Sequence, residues 1–335
     1  VSFYKSIESM IKWSNDKIPL FPSKLVWWWP GNGELIAIKL PSIIADFAIT
    51  AAIIAITRKK LWAIIYLLNP ALWYNSAFWG NTDSVVAALT IWSLYFLYKK
   101  HLVWSTIFLG LTFITKGSWL FIVPFYTIYF WRNYKDKWYL VFITPIVMLL
   151  ATLPFHPYLN LVPWFADLYL HRILSGESAY ITVIAFNFWN LIYAPDFVPH
   201  TISFLGMPAN VVGWGFVSVF VIWQFIKVFR NPKYSVLLKA ILVVSFAVFL
   251  FAPKMIHRYL YPAFPIITLI IASSKASKKL IFLYSSMSAL YLINLYYKWW
   301  APGNLWLQSF YTDANTKIIS IAYLLLFSIL IYEKE

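Results

Sequence analysis

Hydrophobic positions run along this 335-residue chain in long blocks with few charges inside them. Blocks of roughly 17–25 apolar residues are what a helix needs to cross a bilayer. The pattern predicts helical spans over 35–57, 61–79, 83–98, 102–115, 118–131, 138–154, 209–229, 235–252, 259–273, 280–297 and 317–332. That makes about eleven crossings, several of them short, a feature tolerated where a helix packs on protein or lines a cavity. The expected fold class is all-α, a polytopic transmembrane helical bundle over residues 35–335. Residues 1–34 read as an outer-face interfacial segment anchored by Trp13 and Trp27-Trp28-Trp29. Residues 155–208 read as a long outer loop rich in Pro, Trp and His. Loops of that length are functional or disordered, and this one is too aromatic for disorder.

Composition sharpens the picture. Hydrophobic residues make up 61% of the chain, aromatics 21% and charged residues 12%, with a mean hydropathy of +0.70. A water-soluble globule and a disordered chain are both excluded by that balance. Cysteine is absent, so disulfides, zinc-thiolate sites and iron–sulfur clusters are excluded too. A net charge of +15 would point to nucleic acid in a soluble protein, but in a membrane protein it reads as cytoplasmic-loop Lys and Arg. Placing Arg58, Lys59 and Lys60 in the cytoplasm and alternating the spans puts sixteen of the 27 Lys and Arg residues in short cytoplasmic connections. Fusing 102–131 into one helix would carry Arg132 and Lys137 outside, so the charge rule favours a hairpin broken at Lys116-Gly117.

The same topology gathers Glu34, Asp83, Lys116, His156, Asp167, His171, Arg172, Glu177, Lys254, His257 and Arg258 on the outer side. Ionisable groups near hydrocarbon are costly, so each is a candidate for function. Lys39 and Asp46 share one face of the first span at i and i+7. They read as a structural polar pair, or as Asp46 satisfied by a neighbouring helix. Within Asn75–Ser84, Gly80 and Asn81 suit a turn, and Asp83 or Ser84 suits a helix cap. Asp83 suits equally a general base or a holder of a sugar hydroxyl. Lys116 either snorkels or holds a phosphate. Lys254, His257 and Arg258 cluster at another outer helix end, and two cationic clusters on one face favour an anionic ligand. His156, His171 and His200 fit no compact ligand motif, so no metal is expected. No GxSxG, HExxH, Walker A or GxGxxG motif occurs.

Several of these runs carry a resemblance. Lys39-Leu40-Pro41-Ser42-Ile43-Ile44-Ala45-Asp46 resembles the "KLPxxxAD" segment of polytopic GT-C glycosyltransferases, in the branch related to the GPI mannosyltransferases and their prokaryotic relatives. Asn69-Pro70-Ala71, Asn75-Ser76 and Trp79-Gly80-Asn81-Thr82-Asp83-Ser84 resemble "NPA…NS…WGQxDS". Thr115-Lys116 resembles "TKP" with Gly117 replacing Pro, and Phe186-Asn187-Phe188-Trp189 resembles "FNxW". Met255 to Pro262 resembles "MHERYLFP", with Ile256 and His257 where His and Glu would stand. The likeness runs from about residue 35 to about residue 265, and it lies in the order of the motifs.

The resemblance implies a GT-C-type bundle. It implies inverting transfer of a sugar, mannose above all, from a polyprenyl-phosphate donor to a glycan, lipid or protein acceptor on the outer or lumenal face. Lys116, His257 and Arg258 would hold the lipid phosphate, and Trp79, Asn187 and Trp189 would line the sugar or acceptor site. The family's base is an acid on the first outer loop. Residues 1–34 resemble the later part of that loop, so the first helix and its acid are expected to be missing from this chain. Asp83 is then the catalytic candidate, with Glu8, Asp16 or Glu34 as possible substitutes. No cofactor is expected beyond the lipid-linked donor, and no nucleic-acid partner. A transporter or lipid flippase and a non-catalytic lipid-binding subunit are the rival readings. The expected location is a prokaryotic plasma membrane, with the ER membrane as the alternative.

Overall fold

The computed structural model describes residues 2–156, 160–168, 179–193, 197–273 and 277–333. These residues are mostly helical. Helix α1 (Ser2–Lys17) leads into the 34-residue α2 (Lys24–Thr57), followed by α3 (Lys60–Leu67) and α4 (Pro70–Trp73). A π-helical turn (Tyr74–Phe78) precedes α5 (Asp83–Tyr98) and α6 (Leu102–Thr115). Short 3-10 segments at Gly117–Ile122 and Lys135–Phe142 introduce α7 (Val123–Asn133) and α8 (Ile143–Thr152). The stretch 155–208 contributes α9 (Leu161–Asp167), β1 (Thr182–Val183), α10 (Phe188–Ile192) and the hairpin β2 (Ser203–Phe204) with β3 (Met207–Pro208). Then come α11 (Ala209–Arg230), α12 (Tyr234–Phe251), β4 (Met255–Ile256), a 3-10 turn at His257–Leu260 and α13 (Ala263–Ser273). The described residues close with α14 (Lys278–Tyr296), α15 (Leu305–Ser309) and α16 (Asp313–Tyr332).

Among the described residues four helices, α2, α11, α12 and α16, are long and apolar enough to cross a membrane. Most of the other expected spans are shorter or interrupted, whereas α14, at 19 residues, is long enough but less apolar. Helices α5 and α6 fall on 83–98 and 102–115, yet at 16 and 14 residues they are brief for a bilayer. The expected span 61–79 is broken, for a reason local to Asn69-Pro70. The Asn69 carboxamide accepts from Ala71 N at 3.0 Å, while its amide donates to Tyr284 Oη at 2.9 Å and Ser288 Oγ at 2.7 Å. Proline then opens a new helix, where its missing N–H costs nothing. The expected boundary at residue 35 is also corrected. Helix α2 begins eleven positions earlier and runs through Pro30 and Pro41. The Trp29 indole folds over Gly33 one turn on, where a Cβ would come within 2.5 Å of the ring.

At the centre stands α12, in which every residue from 236 to 247 is buried. A helix apolar all round belongs inside a bundle, and α12 contacts α11, α13, α16 and α7. Its one charge, Lys239, reaches the carbonyl of Glu333 at 3.1 Å. Between α5 and α6, Ser93 and Ser105 exchange hydrogen bonds to each other's carbonyls at 2.7 and 2.8 Å. Small residues there let the two backbones approach, as membrane-type packing favours.

Two-residue strands stitch the stretch 155–208 to the bundle. Strand β1 pairs in parallel with β4, Thr182 opposite Met255 and Val183 opposite Ile256. The Lys254 N–H donates to Ile181 O at 2.8 Å. From below, the Asn294 side chain accepts from Phe186 N at 3.1 Å and donates to Ile184 O at 2.8 Å. The loop therefore rests on the segment that carries Arg258.

Candidate functional site

Asp83 opens α5, so its carboxylate sits at the positive end of that helix, a placement favourable by about 0.3–1 kcal/mol. It caps nothing; the cap position is Thr82, and Ser84 instead donates to Ser42 O at 2.9 Å. Lys116 Nζ lies 2.6 Å from Asp83 Oδ1. Arg258 Nε lies 4.0 Å from Oδ2, and Asn75 Nδ2 lies 3.5 Å from the same oxygen. The Arg258 guanidinium also donates to Asn81 Oδ1, and Asn81 Nδ2 donates to Asn75 Oδ1 at 3.0 Å. Gly80, at φ 85°, turns the chain so that Asn81 can do this.

Each partner is held from behind. Lys116 leaves the end of α6 with extended backbone, and its ammonium stands 5.2 Å from the centre of the Tyr259 ring. The Tyr291 hydroxyl donates to Arg258 O at 3.0 Å. Asp46 ties the two halves of the site together: it accepts from Ser76, next to Asn75, and from Tyr261 Oη at 2.9 Å, on the turn that carries Arg258. This is the neighbour-satisfied reading of Asp46. Lys39 instead lies over the Phe78 ring at 5.7 Å.

The cluster opens into a cavity of about 1130 Å³ with two kinds of wall. Asp83, Lys116 and Arg258 converge at one pole, and Lys254, His200 and Asn210 add further polar groups to the wall. The remainder is apolar, with Val217, Val221 and Ile222 of α11 facing Leu120, Phe121 and Pro124. Lys254 adopts a left-handed backbone (φ 62°), a strained choice for a side chain, and the β1–β4 pairing holds it there. Burial first, and the charge of Lys254 second, push the His200 imidazole below its ordinary pKa. The lining combines groups that can hydrogen-bond an anion with an apolar wall.

The structure thus brings Asp83, Lys116 and Arg258 together from three distant stretches of chain. It does not bring the other candidates there. His257 is corrected: it is buried, and it stacks on Trp79 with ring centres 4.9 Å apart instead of lining the cavity. Burial, and next the charge of Arg258, push its imidazole down to about 3, which leaves it neutral and a poor anion ligand. Trp79 is sandwiched between His257 and Trp299, at 4.5 Å from the latter, and lies outside the cavity wall. Asn187 and Trp189 are corrected as well. Both are fully buried and close off the end of α12, Asn187 donating to Phe249 O at 3.1 Å and Trp189 Nε1 to Phe251 O at 2.8 Å. Glu34 and Asp16 are exposed, Glu8 pairs with Lys12 at 2.7 Å, and none of the three lines the cavity. His156 lies elsewhere, stacked on Trp164 at 4.4 Å. His171, Arg172 and Glu177 lie outside the described residues.

Asn210, Tyr259 and Tyr291 are the residues that sequence reasoning missed as parts of the site. A hydroxyl or amide at a helix end carries no signal of what it faces. Among the described residues no group of His, Asp and Glu is arranged to hold a metal. No protein-family model matches this chain, and no curated protein matches it.

Proposed function

We propose that this chain is a polytopic membrane glycosyltransferase of GT-C type, moving a sugar, mannose by its motifs, from a polyprenyl-phosphate donor to an acceptor hydroxyl. The observation that carries the reading is the amphiphilic cavity, with two cations and a carboxylate converging at one pole and an apolar wall beyond. In this scheme the polyprenyl tail lies along α11 and the phosphate meets Lys116 and Arg258. Charge-assisted hydrogen bonds from these groups stabilise the leaving phosphate as the anomeric C–O bond breaks. The donor phosphate competes with Asp83 for the two cations. The freed carboxylate then takes the proton of the attacking hydroxyl, and the new glycosidic bond forms with inversion.

The test uses the full chain in liposomes with a polyprenyl-phosphate sugar. Wild type is expected to release polyprenyl phosphate in the presence of acceptor. Lys116→Ala should weaken polyprenyl-phosphate binding at least about tenfold, the value of a lost hydrogen bond to a charged group. Asp83→Asn should keep binding and lose turnover. Wild-type turnover in either variant overturns these roles.

One observation favours a second reading. Among the described residues, Asp83 is the single carboxylate on the cavity wall, and Lys116 already occupies it. That suits a non-catalytic lipid-phosphate binder or a flippase. Wild type that binds polyprenyl phosphate, or moves it across the bilayer, without any covalent transfer would establish this reading in place of the first.

A further inference from the structure

A second groove lies at the far end of the bundle and plays no part in the proposed chemistry. It has a volume of about 670 Å³ and runs between α14 and α16, lined by Lys278, Lys279, Phe282, Leu325, Ile329 and Tyr332. Its place follows from the helices themselves. Tyr291, nine to thirteen positions further along α14, touches the Arg258 carbonyl at the outer site. At 1.5 Å per residue the groove therefore lies about 14–20 Å from that level, towards the end expected to be cytoplasmic.

Two features of this groove call for an anion. Helix α14 opens on Lys278 and Lys279 and has no acidic residue in its first turn, whereas α5 and α16 open on Asp83 and Asp313. Two ammonium groups at the positive end of a helix dipole repel it. Neither is relieved from within: both lysines are exposed, and neither ammonium has an ion pair or hydrogen bond among the described residues. Only backbone is satisfied there, by Ser277 Oγ accepting from Lys279 N at 3.2 Å.

The third feature gives the rest of the ligand. Below the lysines the groove is apolar and open sideways, with Phe282 at 56% and Leu325 at 60% exposure. Two charges above an apolar channel, on helices that pack side by side, match a phosphate headgroup joined to an acyl chain. We propose that this groove is a binding site for one anionic glycerophospholipid. Its phosphate sits between Lys278, Lys279 and the start of α14, and one chain lies between Phe282 and Leu325. The site is separate from the outer cavity and stands or falls apart from the transferase reading.

Native mass spectrometry of the full chain in detergent tests it, with phosphatidylglycerol and phosphatidylcholine of identical chains. Wild type should retain one phosphatidylglycerol at least fivefold better than phosphatidylcholine. The Lys278→Gln/Lys279→Gln double variant should lose that preference with an unchanged melting temperature. Leu325→Trp, which keeps both lysines and fills the channel, should lose retention of both lipids. Equal retention of the two lipids by wild type overturns the proposal, as does unchanged selectivity in the double variant. Displacement of phosphatidylglycerol by equimolar glycerol phosphate overturns it too, because the ligand would then be a free anion. Polyprenyl-phosphate binding at the outer cavity should be the same in all three proteins.

Discussion

His257 sits between a cation and a tryptophan with both ring nitrogens buried and without a partner among the described residues. An unpaired buried polar atom costs about 1–3 kcal/mol. Phenylalanine keeps the stack on Trp79 and has no such atoms, so His257→Phe should match or exceed wild-type stability. The pH dependence follows from the depressed pKa. The folded imidazole titrates at about 3, the unfolded one near its ordinary 6.5. Above 6.5 both states are neutral and the group contributes nothing to the slope. As pH falls from 6.5 towards 3 the unfolded chain takes up a proton that the folded one refuses, so stability declines across that window. Thermal melts of wild type from pH 7 to pH 4 should show this decline, and His257→Phe should flatten it. A variant as acid-sensitive as wild type would refute the assignment. Lys116, Asp83 and Arg258 were visible in the sequence because charges in an apolar chain stand out. The sequence offered no means of telling His257, one position from Arg258, from a ligand, since that difference is one of burial.

At the level of elements, legibility followed the strength of the breakers. Helices α5 and α6 emerged at their expected positions because Asn81-Thr82 and Lys99-Lys100 interrupt long apolar runs. The start of α2 did not, because Pro30 and two nearby glycines look like a stop until Trp29 is seen folded over Gly33. The β1–β4 pairing was invisible, since each strand is two residues long and its partner lies far along the chain. Helix contact supplies a paired prediction. A Cβ on Gly213 would come within 2.5 Å of Phe251 O and 3.0 Å of the Trp189 ring, where α11 meets the end of α12. A Cβ on Gly215 meets nothing within 4 Å. Gly213→Ala should therefore destabilise by about 1–3 kcal/mol, through overpacking. Gly215→Ala should hold or gain about 0.5–1 kcal/mol, through helix propensity. The melting temperatures of the two variants should move apart; movement together would contradict the close approach.

For the molecule as a whole, hydrophobic content announced the membrane, and four helices carry it plainly. The full topology rests on charge placement, and the absence of cysteine makes it testable. Lys100→Cys lies at the exposed α5–α6 turn and Ser309→Cys at the exposed end of α15. In sealed right-side-out vesicles an impermeant maleimide should label the Ser309→Cys protein and spare the Lys100→Cys protein, with the pattern reversed in inverted vesicles. Labelling of both from one side would break the alternation of spans.

The contact between Asn81 and Arg258 joins residues 177 positions apart. A ribosome adding about 5–20 residues per second needs roughly 9–35 seconds to make that stretch. For most of that interval Asp83 and Lys116 are in the emerging chain while the arginine is not. Asp83 and Lys116 can therefore pair and neutralise each other before the arginine is made, whereas the full cluster waits for it. A chain halted before residue 258 would hold half a site, and its cavity would lack the second cation when synthesis stopped.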